Sequence, residues 1–197
     1  MFEGKAGIER ALAALSEQLE ALGAGIVEMV VCGGAALNVL GYVRRTTKDI
    51  DVVAFVETNG QAISLVKADP FSPLLRHASA RVQKDLNLPE NWLNPGPASV
   101  MDFGLPQGMM ERKETRFYGK VLIIHYLGRY DQIHFKLHAA VDQGGKHFDD
   151  LLALNPSSQE LEEAARWSMN HDPSEGFRTI LKDFLGKIGY ADVAARL

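Results

Sequence analysis

One cysteine, Cys32, stands among 197 residues. That excludes an internal disulfide and any zinc site built on several cysteines. At the end of an apolar tract, Cys32 reads as a small buried hydrophobe rather than a nucleophile. No apolar run reaches the roughly 20 residues that a membrane helix needs, and Met1-Phe2-Glu3-Gly4-Lys5 holds no apolar signal core. The expectation is a cytoplasmic location without a membrane partner. A long basic tract is missing too: the formal charge is −4 and the pI near 5.9. That balance argues against a protein that grips duplex DNA by its phosphates. The local exception is Arg44, Arg45 and Lys48, which cluster in one short stretch. Internal repeats and low-complexity segments are absent.

What is present is an ordinary globular composition, 46% hydrophobic and 23% charged. Ile8, Leu12, Leu15, Leu19 and Leu22 recur at spacings of four and three, which predicts a helix over 5–22 stopped by Gly23. Residues 26–31 read as a strand, 35–40 as a helix, 41–48 as a polar connection and 49–56 as a central strand. Helices are expected over 61–68 and 73–88. A proline-punctuated loop follows over 89–97, then a short strand at 100–103 and a clear one at 121–126. Beyond Gly128 the pattern is helical only, over 131–142, 147–154, 158–169, 173–186 and 189–196. The expected class is therefore α/β (α+β), a mixed sheet flanked by helices over 1–128 followed by an all-helical region over 129–197.

The chemistry-bearing stretch is Cys32-Gly33-Gly34-Ala35-Ala36-Leu37-Asn38 followed by Thr46-Thr47-Lys48-Asp49-Ile50-Asp51. On a strand, Asp49 and Asp51 point the same way, about 6 to 7 Å apart along the backbone. Two such like charges repel, and a cation between them relieves the repulsion. Mg²⁺ or Mn²⁺ is the natural one. A glycine turn feeding a helix presents backbone N–H groups that suit a phosphate. The bland alternatives are a pair of surface acids and a plain strand-to-helix turn. Arg45 and Lys48 are equally readable as triphosphate contacts or solvated charges, and Thr46 and Thr47 as phosphate contacts or β-formers. His134 and His138 stand four apart, with His147 nearby, but no Glu-x-x-His pattern accompanies them, so a histidine metal site is not expected.

These residues resemble the signature of the nucleotidyltransferase superfamily, Gly-Gly or Gly-Ser followed about a dozen residues on by Asp-x-Asp. Gly33-Gly34-Ala35-Ala36-Leu37 with Arg45-Thr46-Thr47-Lys48-Asp49-Ile50-Asp51 is similar to the bacterial AbiEii-type branch. A second block, Phe135-Lys136-Leu137-His138-Ala139-Ala140 with Asp149-Asp150-Leu151, resembles that branch's downstream helix. The resemblance implies Mg²⁺-dependent transfer of a nucleotidyl group from a nucleoside triphosphate to an acceptor. The acceptor is open between tRNA, a protein side chain and a small molecule, and a toxin–antitoxin or defence setting with a protein partner is implied. Asp49 and Asp51 would hold the metal, and Gly33, Gly34, Arg45, Thr47, Lys48 and Lys136 would surround the nucleotide. The family adds a third carboxylate from a later strand, for which Asp102 is the candidate by location. The rival reading is a binding or regulatory module that keeps the fold without the reaction.

Overall fold

A computed structural model describes residues 1–60 and 62–197, the side chain of Asn59 excepted. It is mixed α/β and divides into two compact units. The first comprises residues 1–102 and 113–127, the second residues 103–112 and 128–197. The excursion 103–112 thus belongs with the helical part, which a single cut at residue 128 does not capture.

In the α/β unit, β1 (Phe2–Glu3) leads into α1 (Gly4–Ala21), whose Ile8, Leu12, Leu15 and Leu19 are fully buried. That stripe, repeating at i, i+4, i+7, is the face a helix lays on a core. Gly23, with φ +73°, follows its end. Then come β2 (Val27–Cys32), α2 (Gly33–Leu40), β3 (Thr46–Thr47), β4 (Ile50–Asn59), β5 (Ala62–Lys67), α3 (Pro73–Asp85), β6 (Leu93–Asn94), a 3₁₀ turn (Gly96–Asp102), β7 (Glu114–Tyr118) and β8 (Leu122–Tyr126). The sheet order is β5-β4-β2-β8-β7, with β6 alongside β4. The β2–β8 and β4–β6 pairs are parallel, while the β2–β4, β4–β5 and β7–β8 pairs are antiparallel. The core gathers Met29, Val31, Ile50, Val52, Ile124 and Tyr126 from the strands against α1 and α3, with Trp92 edge-on to Phe2 at 6.1 Å.

Three expectations are corrected here. Residues 62–67 form β5, not a helix: six backbone pairs, from Ala54↔Lys67 to Asn59↔Ala62, join them to β4. Ladder pairing outweighs the helix-like spacing of Ala62, Leu65 and Val66, and Ile63 and Val66 are β-branched; Gln61 lies outside the described residues. Residues 100–102 end a 3₁₀ turn rather than forming a strand, set up by Pro95 accepting at 2.9 Å from Ala98 N–H. The loop over 89–97 contains β6, whose two residues pair with Ile50 and Asp51. The sequence reading also passed over β7, an edge strand carrying Glu114 and Arg116.

The helical unit contains α4 (Arg129–Gln143), α5 (Lys146–Ala153), α6 (Ser158–His171), α7 (Glu175–Lys187) and α8 (Ala191–Arg196). Ser157 and Glu160 close a reciprocal cap on α6. Arg112 binds Asp131 at 2.5 Å and lies over the Tyr130 ring at 4.6 Å, while Trp167 Nε1–H donates to Gly104 O at 3.0 Å. These contacts hold 103–112 onto α4 and α6. Among the described residues, no helix is long and apolar enough to cross a membrane.

Candidate functional site

The site sits where β2 turns into α2. Gly33 is the first residue of α2 and has φ +72°, a conformation that disfavours side chains. A Cβ built there would lie 2.3 Å from Asp51 Oδ2. The Asp51 carboxylate therefore occupies the space that any other residue at position 33 would fill. A Cβ at Gly34 would lie 2.9 Å from Arg45 Nη2 and 3.0 Å from Thr47 Oγ1. The two glycines thus let one carboxylate, one guanidinium and one hydroxyl converge on a single backbone turn. Negative charge is favoured at such a helix N-terminus, and Cys32 at the cap position makes no side-chain capping bond.

Asp51 is fixed by the sheet. It stands opposite Cys32 on β2 and abreast of Asn94 on β6. Asn94 Nδ2 donates to Asp51 Oδ1 at 2.9 Å, and Gly96 N–H donates to Asn94 Oδ1 at 3.0 Å. The Gly96 bond fixes which end of the amide is the acceptor, so the NH₂ end faces the carboxylate. Sequence reasoning missed Asn94, which lies in a proline-rich stretch and reaches Asp51 only through a two-residue strand.

Asp49 lies just before β4 rather than on it, so strand alternation does not fix its direction. Thr47 does: its Oγ1 is 3.3 Å from Asp49 O and 3.5 Å from Asp49 Oδ1. Thr47 is buried, and Asp49 and Asp51 are half-buried. Arg45 is held through its backbone N–H on Asn38 Oδ1 (3.2 Å) and its Nη1 on Thr46 O (3.0 Å), while Asn38 Nδ2 donates to Gly34 O at 2.9 Å. Gly33, Gly34, Arg45, Thr47, Asp49 and Asp51 are therefore brought together, with Lys48 exposed beside them.

Two named residues are placed otherwise. Asp102 ends the 3₁₀ turn, and its carboxylate is 2.6 Å from Lys67 Nζ on β5. Lys67 stands level with Ala54, three residues along β4 from Asp51. Among the described residues no three His, Cys, Asp or Glu side chains group to hold a metal ion, so Asp102 does not complete a set with Asp49 and Asp51. Lys136 lies on α4 in the helical unit, its ammonium 2.7 Å from Asp150 on α5, with both side chains at or below 4% exposure. That buried pair ties two helices together. His134 and His138, also on α4, pack their rings around Trp167.

Comparison with family models, curated proteins and solved structures gave no match of any kind.

Proposed function

We propose that the turn at Gly33-Gly34, with Asp49 and Asp51, binds a nucleoside triphosphate together with Mg²⁺ or Mn²⁺, and that this binding serves nucleotidyl transfer to an acceptor hydroxyl. The supporting observation is the crowding at the turn. Asp51 Oδ2, Arg45 Nη2 and Thr47 Oγ1 fill the places where side chains at 33 and 34 would stand.

The residues suit a metal that arrives with its nucleotide. Mg²⁺ is commonly held by one or two carboxylates plus substrate phosphates, and two carboxylates are what Asp49 and Asp51 offer. When bound, such an ion neutralises charge on the triphosphate during in-line displacement. The protein's own share is positional. Thr47 sets Asp49, Asn94 sets Asp51, the glycines allow close backbone approach, and Arg45 brings its guanidinium against Gly34. The acceptor class and any protein partner rest on the resemblance alone.

The thermal unfolding midpoint tests the binding. Mg²⁺ with a triphosphate at 100 times its Kd should add about 2.7 kcal/mol of stability, and Asp51→Asn should abolish that gain. A wild-type midpoint indifferent to every triphosphate with metal would overturn the reading. A second reading is a binding module without transfer. It is favoured by an amide beside Asp51, where a carboxylate would serve catalysis, and by the pairing of Asp102 with Lys67. Label from an α-phosphate-labelled triphosphate appearing on an acceptor separates the two.

A further inference from the structure

Apart from the residues of the glycine turn, three adjacent strands of the α/β unit bring a hydroxyl, an imidazole and a carboxylate into one hydrogen-bonded row. His125 on β8 stands level with Thr115 on β7 and with Val30 on β2, and Glu28 is two residues before Val30. The three side chains therefore share one face of the sheet. Thr115 Oγ1 lies 2.9 Å from His125 Nδ1, and His125 Nε2 lies 2.9 Å from Glu28 Oε2. His125 is 6% exposed and Glu28 is half-buried, while Thr115, at the end of the row, is exposed. A carboxylate only accepts, so in the neutral imidazole Nε2 carries the proton and Nδ1 accepts from the Thr115 hydroxyl. That is the protonation pattern of a hydroxyl nucleophile, its base and the group that orients the base.

We propose that Thr115, His125 and Glu28 form a second active site, which hydrolyses carboxylic esters with an apolar acyl group. Thr115 Oγ1 attacks the ester carbonyl carbon as its proton passes to His125 Nδ1. The bond to the leaving alcohol then breaks, the alcohol takes that proton, and an acyl ester remains on Thr115. Water, deprotonated by the same nitrogen, releases the carboxylic acid and restores the hydroxyl. Glu28 is a positioning residue: it holds the ring by Nε2 and steadies the imidazolium formed in each half of the cycle. β7 is the last strand in the sheet order, and an edge strand turns alternate backbone N–H groups outward, donors of the kind a developing oxyanion takes. The apolar preference comes from the same face. Phe117 and Ile123, two residues along their strands from Thr115 and His125, stand level with each other, and Phe117 is 73% exposed. Beside Glu28 opens a cavity of about 250 Å³, walled by Ile26, Phe55, Val56 and Leu74.

Two probes test the site, p-nitrophenyl hexanoate as substrate and an alkyl fluorophosphonate as a covalent label, both in EDTA without nucleotide. The wild-type protein should release p-nitrophenolate with a first-turnover burst of about one equivalent per chain. The label should form a phosphonyl ester on Thr115, located by peptide mass spectrometry, with loss of fluoride. Thr115→Val keeps the shape and the strand preference of the side chain at an exposed position; it should abolish both burst and label, and Thr115→Ser should retain both. Glu28→Gln presents a donor to Nε2 and forces the proton onto Nδ1, so it should lower kcat by at least about tenfold with KM held within about twofold. A row of side chains that only braced the sheet would change the unfolding midpoint and move neither reading. The proposal is overturned by hydrolysis no faster than buffer, by burst and label unchanged in folded Thr115→Val, or by a label that lands elsewhere in the chain. Equal kcat/KM for the acetate and hexanoate esters would overturn the apolar preference. Neither probe needs metal or triphosphate, so failure here leaves the glycine-turn reading standing, and failure of that reading leaves this one.

Discussion

Alanine at position 33 meets two obstacles, a φ of +72° and the Asp51 carboxylate oxygen 2.3 Å from where its Cβ must go. Left-handed backbone at a non-glycine residue and overpacking each cost on the order of 1 to 3 kcal/mol, so Gly33→Ala should lose about 2 to 4 kcal/mol in urea unfolding. Gly34→Ala meets only the far end of Arg45 and the Thr47 hydroxyl, and should lose under about 1.5 kcal/mol. Equal losses would show that the carboxylate does not press on Gly33. Asn94→Asp sets a second carboxylate against Asp51 in place of a donated hydrogen bond. Without divalent ions it should destabilise the fold by about 1 to 3 kcal/mol; millimolar Mg²⁺ should restore stability to the variant and leave the wild type unmoved. At this scale the sequence was legible where spacing along the chain carries the signal. Gly33, Gly34 and Asp51 form a short-range pattern, whereas Asn94 is 43 residues from Asp51 and its role follows only from strand pairing. Lys136 shows the converse. Its neighbours Leu137 and Ala140 mark a helix face, but nothing local announces Asp150 as its partner.

That pair decides how α4 and α5 hold together, and its energetics belong to the elements rather than to either residue. Removing one member strands a buried charge, at a cost of about 3 to 5 kcal/mol, whereas replacing both by apolar groups is often neutral. Lys136→Met should therefore destabilise the protein strongly, and Lys136→Met/Asp150→Leu should recover most of the loss. A double variant as unstable as the single one would show that the pair is not the cause. Among the elements, those with long apolar periodicity, such as α1 and α3, followed from sequence because one buried stripe repeats at helical spacing. The strand β5 did not. Its exposed Ile63 and Val66 leave no clean alternation, and its conformation is set by the ladder with β4. Short elements such as β6 and β7 draw their stability from neighbours already in the sheet, which a window along the chain does not contain.

At the scale of the molecule, the helical unit holds three groups that acid disturbs, His134, His138 and Glu160. Burial depresses His134, with the hydrogen bond to the Tyr130 carbonyl, Asp131 and Glu163 opposing the shift and Arg112 adding to it. Burial also depresses His138, which faces His171 as well as Asp142 and Asp172, and whose buried Nδ1 finds no hydrogen-bond partner among the described residues. A histidine whose pKa is lower folded than unfolded binds fewer protons in the native state. Stability is then unaffected above the ordinary value near 6.5 and falls as pH drops below it. The hydrogen bonds from Arg129 draw Glu160 down to about 2 from an ordinary 4.5. The stabilisation it supplies is present above 4.5 and is lost as pH falls from there toward 2. The helical unit should therefore weaken first as pH falls below about 6.5, then again below 4.5. One tryptophan reports on each unit: Trp92 lies in the α/β core, and Trp167 is packed among His134, His138 and His171 in the helical unit. In Trp92→Phe the emission of Trp167 should shift to the red on acidification. In Trp167→Phe the emission of Trp92 should hold to a lower pH. Measuring the wavelength of the maximum, rather than intensity, separates unfolding from quenching of Trp167 by a protonated imidazole. Replacing His138 with Gln removes one protonation that opposes folding and should move the Trp167 transition to lower pH. Superimposed transitions for the two tryptophans, unmoved by His138→Gln, would place the acid sensitivity outside these histidines.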